Sequence, residues 1–188
     1  MNVASEYNEA GKFAIDSLPL VGASAAGRHA NNYPNTIYAK GAVILGMLRD
    51  YLGDSLFFES IRTYGRAHAY STADTHDLQK AFEQISKRDL DWFFQEFVYQ
   101  RGAPDVSVAW SKTSKGASIQ FTQWQDTLGY RYFRMPILVR ASAGNRVKNI
   151  YVWMDSVRQS TALADFGFVP EVVTVNPLGD LLIHLSEP

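Results

Sequence analysis

Cysteine is absent from this chain, which excludes disulfide frameworks, thiolate metal sites and thiol catalysis together. It leaves both a cytosolic and an exported location open. Long apolar runs are also lacking: none approaches the roughly 20 residues of a membrane-spanning helix. No basic, apolar, small-residue start of a leader peptide follows Met1. Charge of one sign is not in excess, since 18 basic residues stand against 19 acidic ones for a net −1. Without a Lys/Arg block, neither nucleic acid nor an anionic membrane surface is an expected partner. Histidine is scarce. None of His29, His68, His76 and His184 begins a His-Glu-x-x-His pattern, and no two are one helical turn apart. All four read as surface or hydrogen-bonded imidazoles, so this chain is expected to hold no metal of its own.

What is present suits one large domain or two small ones. Of the 188 residues, 46% are hydrophobic and 13% aromatic, enough to build real cores. The apolar period changes once along the chain. From Asn35 to about Gln100 it is helical, with Ile44, Leu45, Leu48 and Leu52 assigned to one face of a first helix that stops at Gly53. Asp54 reads as the cap of a second helix carrying Phe57, Ile61 and Tyr64. Asp74 or Thr75, with Asp77 in the first turn, opens a third that buries Leu78, Phe82 and Ile85. Asp89 caps a fourth with Leu90, Phe93, Phe94 and Phe97.

Beyond Gly102 and Pro104 the period becomes two. Val106, Val108 and Trp110 alternate with polar neighbours, as do Ile119, Phe121 and Gln123, and Met135, Ile137 and Val139. Further strand-like runs are 147–153, 171–175 and 181–185, separated by turn formers such as Gly144-Asn145 and Pro177-Leu178-Gly179. The expected fold class is α+β: a helical bundle over residues 1–103, then an immunoglobulin-like antiparallel β-sandwich over 104–188.

The segment with most chemical content is Ile37-Tyr38-Ala39-Lys40-Gly41-Ala42, which leads into the first helix. A buried or half-buried phenol held at a rigid helix start can donate a hydrogen bond to an oxyanion that develops during attack on a carbonyl. Gly41 is read as permitting close backbone approach there. A tyrosine at such a position also packs commonly on a core or loop, and Tyr33 is a second aromatic of the same ambiguity. The loop 22–27, rich in Gly, Ala and Ser, shows no periodicity.

Read in order, Tyr38–Asp54 (a Tyr-x-Lys-Gly-Ala helix ending Leu-Gly-Asp), Phe57 to Tyr64, Ser71–Leu78, Asp89-Leu90-Asp91-Trp92-Phe93-Phe94, Arg101–Val108 and Pro170–Leu182 form one set. That set resembles the alanyl aminopeptidase-like zinc metallopeptidases (gluzincins), from about Tyr33 to Leu185. The resemblance implies the tail of a thermolysin-like catalytic domain followed by that family's β-sandwich. It implies Tyr38 as the oxyanion-stabilising catalytic residue, and Tyr33, by proximity, as a substrate contact. It also implies zinc and a peptide substrate in an intact parent, with missing N-terminal and catalytic segments of the same protein as this chain's partners. The family's zinc ligands, general base and Gly-x-Met-Glu-Asn amine-binding loop do not appear here, so the isolated chain is expected to be inactive.

Two other readings stay open. One is a non-catalytic aminopeptidase-like scaffold. The other is a free-standing sandwich that binds sugar or protein through Trp110, Trp124, Tyr130, Tyr132 and Trp153. Apolar or aromatic residues around 13–21 and 33–38 are expected to lie bare wherever a covering segment is missing.

Overall fold

The computed structural model of the protein describes Leu20, residues 35–125 and residues 131–186. These fall into two compact units, divided between Arg101 and Gly102.

The helical unit opens on a π-helical turn, Asn35–Lys40, which runs directly into α1, Gly41–Leu52. Val43, Ile44, Met47, Leu48 and Leu52 are buried, at the three- and four-residue spacing of one helix face. Leu45, assigned to that face from sequence, is 38% exposed. It stands about 100° around the helix from Ile44, on the edge of the stripe. Gly53 ends α1 with φ 82°, where its N–H reaches the Arg49 carbonyl at 2.7 Å.

α2 spans Asp54–Ala67. Asp54 does not cap it. Gly53 stands in the cap position and Asp54 is the first helical residue, its carboxylate paired with Arg49 at 2.7 Å from Nε and 3.0 Å from Nη2. α3, Thr75–Ser86, has the expected start: Asp74 accepts from the Asp77 N–H at 3.0 Å while Asp77 accepts from the Asp74 N–H at 3.1 Å. α4, Asp91–Phe94, continues as a π-helical turn through Tyr99. Leu90 rather than Asp89 is its capping residue, because the Leu90 carbonyl takes the Phe93 and Phe94 N–H groups. The Asp89 carboxylate still accepts from the Asp91 N–H at 2.9 Å. Phe82, Leu90, Phe93, Phe94 and Phe97 fill the core of this unit.

The second unit carries β1 (Asp105–Lys112), β2 (Gly116–Gln123), β3 (Met135–Ala143), β4 (Arg146–Met154), β5 (Gln159–Asp165), β6 (Val172–Val175) and β7 (His184–Ser186). They form two sheets, ordered β5-β2-β1-β7 and β4-β3-β6. Inward rows such as Ile119 and Phe121 from the first sheet and Ile137, Val139 and Val152 from the second are buried. Pairing is antiparallel except β1–β7, which is parallel, so the sandwich is mostly rather than wholly antiparallel. The chain returns across the unit before pairing Asp105 with His184, and that crossover sets the direction. The last two strands are also shorter than their hydrophobic runs suggest. Gly116 is obligatory, since a Cβ there would sit 1.8 Å from the Ala164 carbonyl oxygen on β5.

A polar knot joins the two sheets. The buried Gln123 amide donates to the carbonyls of Phe133 (2.8 Å), Asp155 (2.9 Å) and Val157 (3.2 Å). Its oxygen accepts from the Phe133 N–H at 2.9 Å and from Gln125 Nε2. Gln123→Ala strands several of these buried groups at about 1–3 kcal/mol each. The expected loss of stability is about 3 kcal/mol, read as a lower urea midpoint for the sheet unit at unchanged slope.

Acid offers a second test, on α3. Hydrogen bonding from the Asp77 N–H is the main cause that holds the Asp74 carboxyl below its ordinary 3.8. A depressed folded value means stability that is present above pH 3.8 and lost as pH falls through the folded value. Asp74→Asn keeps a capping acceptor without the titration. Melting followed by circular dichroism should show near-unchanged stability at neutral pH and a shallower loss in acid.

Candidate functional site

Tyr38 lies in the π-helical turn ahead of α1, not in the α-helix itself. Its ring is 70% exposed, more open than the half-buried position expected from sequence. The reason is rotational. Lys40, two residues on, is completely buried and heads the stripe that continues through Val43, Ile44 and Met47. Side chains two residues apart on a helical turn face roughly opposite sides, so burying Lys40 turns Tyr38 outward. Lys40 takes part in a further interaction, and a buried ammonium needs a partner.

Sequence reasoning gave Lys40 no role of its own. The signal was there: Lys40 stands three and four residues before Val43 and Ile44, on the apolar face. Gly41, read as a site of close approach, is not sterically forced, because a Cβ there would meet Leu20 Cδ1 at 3.7 Å, an ordinary contact. Leu20 itself is pinned to this unit by its N–H, 2.9 Å from the Val98 carbonyl.

Tyr33 lies outside the described residues, as do His29, Tyr130, the loop 22–27 and most of the stretches expected to lie bare. Of those stretches, Leu20 is half-buried and Tyr38 exposed. A cavity of about 310 Å³ opens on the same unit, lined by Leu20, Ile44, Leu48, Leu78, Phe93 and others, with Thr75 as its one polar side chain. It offers volume for an apolar group, and its described lining holds no ionisable side chain.

The described histidines are not gathered. The His76 ring lies 5.7 Å from that of Tyr99, and the His68 ring 5.3 Å from that of Tyr64. His184 Nδ1 meets Asp105 Oδ1 at 2.9 Å, a half-exposed pair across β1 and β7. Burial, with Asp74 and Asp91 nearby, raises the Tyr99 phenol above its ordinary 10.0. Among the described residues no group of three His, Cys, Asp or Glu could hold a metal ion. Zinc therefore does not fit the side chains this chain is seen to offer. No described helix is long and apolar enough to cross a membrane.

Of the aromatics considered as a sandwich platform, the four that are described differ in exposure. Trp124 donates its indole N–H to Ser107 Oγ at 2.9 Å and is covered by the Arg158 guanidinium. Trp110 and Tyr132 are half-buried, and Trp153 is the exposed one of the described four apart from the covered Trp124.

Comparison with known proteins adds a family. The Peptidase family M1 domain matches residues 19–97. Aminopeptidase M1 of Arabidopsis thaliana is 40% identical over 71 residues, 38% of this chain and 8% of that protein. Tricorn protease-interacting factor F2 of Thermoplasma acidophilum is 32% identical over 113 residues, 58% of this chain and 14% of its own length. The crystal structure of Legionella pneumophila aminopeptidase A in complex with aspartic acid superposes with a TM-score of 0.68 over 83% of this chain and 18% of that one. At 15% identity that likeness concerns the fold alone. The chain thus spans a small part, 8–14%, of the curated relatives it matches.

Proposed function

Since this chain belongs to the alanyl aminopeptidase-like M1 peptidase family, we propose that it is the C-terminal portion of a zinc-dependent aminopeptidase. On this reading residues 1–103 end the catalytic domain and 104–188 form the β-sandwich domain that follows it. The longer protein removes N-terminal residues from peptides. The observation that carries the reading is Tyr38: a phenol aimed outward by a buried helix face, in the stretch that matches the family.

The chemistry assigned to Tyr38 is a donated hydrogen bond. As water attacks the scissile carbonyl, its oxygen gains negative charge, and the Tyr38 O–H points a fixed dipole at it. The bond is strongest when the charge is fully developed, so it lowers the barrier rather than tightening ground-state binding. Tyr33 is assigned a weaker substrate contact. The zinc, the general base and the clamp for the substrate amine are assigned to segments of the longer protein, because the described residues hold no metal-ligand set. A non-catalytic scaffold is the second reading. Residues encoded ahead of Met1 separate the two: a His-Glu-x-x-His followed by a further Glu supports the enzyme.

Two measurements test the proposal. The isolated chain should retain no stoichiometric zinc after dialysis and cleave no aminoacyl reporter; turnover that resists chelation would overturn this. In the zinc-loaded longer protein, Tyr38→Phe should lower kcat by about 10²–10³-fold with little change in KM. Tyr33→Phe should cost far less. A near-normal kcat for Tyr38→Phe would make Tyr38 a packing residue.

A further inference from the structure

We propose that Lys40 is the positioning residue for Tyr38, its buried ammonium pinning the turn Asn35–Lys40 in the rotation that holds the phenol outward. This rests on the reading of Tyr38 as an oxyanion donor and names the side chain on which that donor's aim depends.

The start of α1 lacks the ordinary anchors of a helix N-terminus. No side chain caps it, and its first turn carries no acidic residue. Lys40 stands in the cap position with helical backbone angles, φ −61° and ψ −43°, so the π-helical turn runs into α1 without a fixed stop. Of residues 38–42, Tyr38 and Ala42 are exposed, Ala39 and Gly41 are half-buried, and Lys40 alone is buried. The next buried side chain is that of Val43, beyond Gly41. Within this stretch Lys40 is therefore the side chain rooted in the interior, two residues from the phenol it faces away from.

A charge at this position has a specific use. Lysines near a surface ordinarily bury the stem and let the ammonium reach water. Lys40 does not: its exposure is 0%, which places stem and head alike inside. An apolar side chain would extend the stripe of α1 without the desolvation that a buried ammonium costs. What an apolar side chain lacks is direction. Apolar contacts tolerate sliding and rotation, whereas an ammonium in a low-dielectric interior is held where its acceptor stands. Precision of that kind matters to a donor at the end of a long side chain. A rotation of about 10° about the helix axis moves an atom at the rim of the helix by about 1 Å. A misplacement of that size costs a reaction up to about 10²-fold.

Two measurements test this, one of them independent of activity. In the full 188-residue chain, amide hydrogen exchange is compared between the wild type and Lys40→Met, which keeps an apolar stem and removes the ammonium. Exchange at residues 42–44 should quicken by about tenfold or more, while that of residues 47–52 changes by less than about twofold. In the zinc-loaded longer protein, Lys40→Met should lower kcat by about tenfold with KM unchanged to within about twofold. In a Tyr38→Phe background the same substitution should cost less than about twofold, because the hydrogen bond that Lys40 aims is already gone. A near-normal kcat for Tyr38→Phe alone removes the oxyanion reading and this inference together. A full loss for Tyr38→Phe beside an unchanged kcat for Lys40→Met overturns this inference and leaves that reading standing. So does an equal loss from Lys40→Met in both backgrounds, which marks a merely structural lysine. Exchange that is unchanged at residues 42–44, or quickened uniformly along α1, has the same consequence. Lys40→Gln, a shorter neutral donor, enters the same measurements should Lys40→Met fail to fold.

Discussion

The orientation of the candidate site rests on one constraint, the complete burial of Lys40. A lysine ammonium enters a protein interior only with a partner, and once held it fixes the rotation of the helix that carries it. Here it heads the stripe Val43, Ile44, Met47, Leu48 and Leu52, so one face of α1 is committed from its first residue to its last. Tyr38 has no freedom to choose its side. The π-helical turn in which both residues sit widens the backbone by one residue per hydrogen-bonded loop, and such turns recur at functional positions. Gly53 and the Arg49–Asp54 pair then fix where α1 ends and α2 begins.

The sheet unit obeys a comparable rule at Gln123. Alternation along β2 places this side chain in the same inward row as Ala117, Ile119 and Phe121, although its amide is polar. A buried primary amide is tolerated when its donors and its acceptor oxygen are engaged. Gln123 meets that condition by tying β2 to the entry of β3 and to the β4–β5 connection. The two sheets are thereby clamped at the end from which β5 departs. Gly116 governs the other end of β2 by steric exclusion, where β5 passes too close for any side chain.

Much of this was legible in the residues. The switch of period near Pro104, the Asp74–Asp77 capping box, the Gly53 stop and the inward rows of β1 to β3 are local signals, and each matches its element. What escaped depends on distant partners. Asp54 has the right residue type for a cap, but the cap position falls on Gly53 and Asp54 opens the helix itself, paired with Arg49. The parallel direction of β7 follows from where the chain goes between strands, which a short apolar run does not encode. Lys40 was read as one letter of a motif when its position on the apolar stripe already marked it as buried. Trp124 is exposed as expected, but its indole N–H meets Ser107 Oγ, a partner visible only once β1 and β2 pair.

An oxyanion donor needs two things, direction and a dry surrounding. On the proposed reading, direction is supplied within this chain, by the packed face of α1 that follows Tyr38. Dryness is not supplied by the described residues, since the ring is 70% exposed. The distinction matters because the worth of a hydrogen bond to a developing charge scales inversely with the effective dielectric. In open water a phenol merely replaces a solvent molecule that would have donated equally well. Under a covering segment that excludes solvent, the same bond has no aqueous competitor and requires no reorganisation as charge develops. On the proposed reading, the helical unit is a positioning device whose catalytic value depends on what is laid over it. That division of labour explains how a chain can match the M1 family over this stretch while offering, by itself, an aimed but solvated tyrosine.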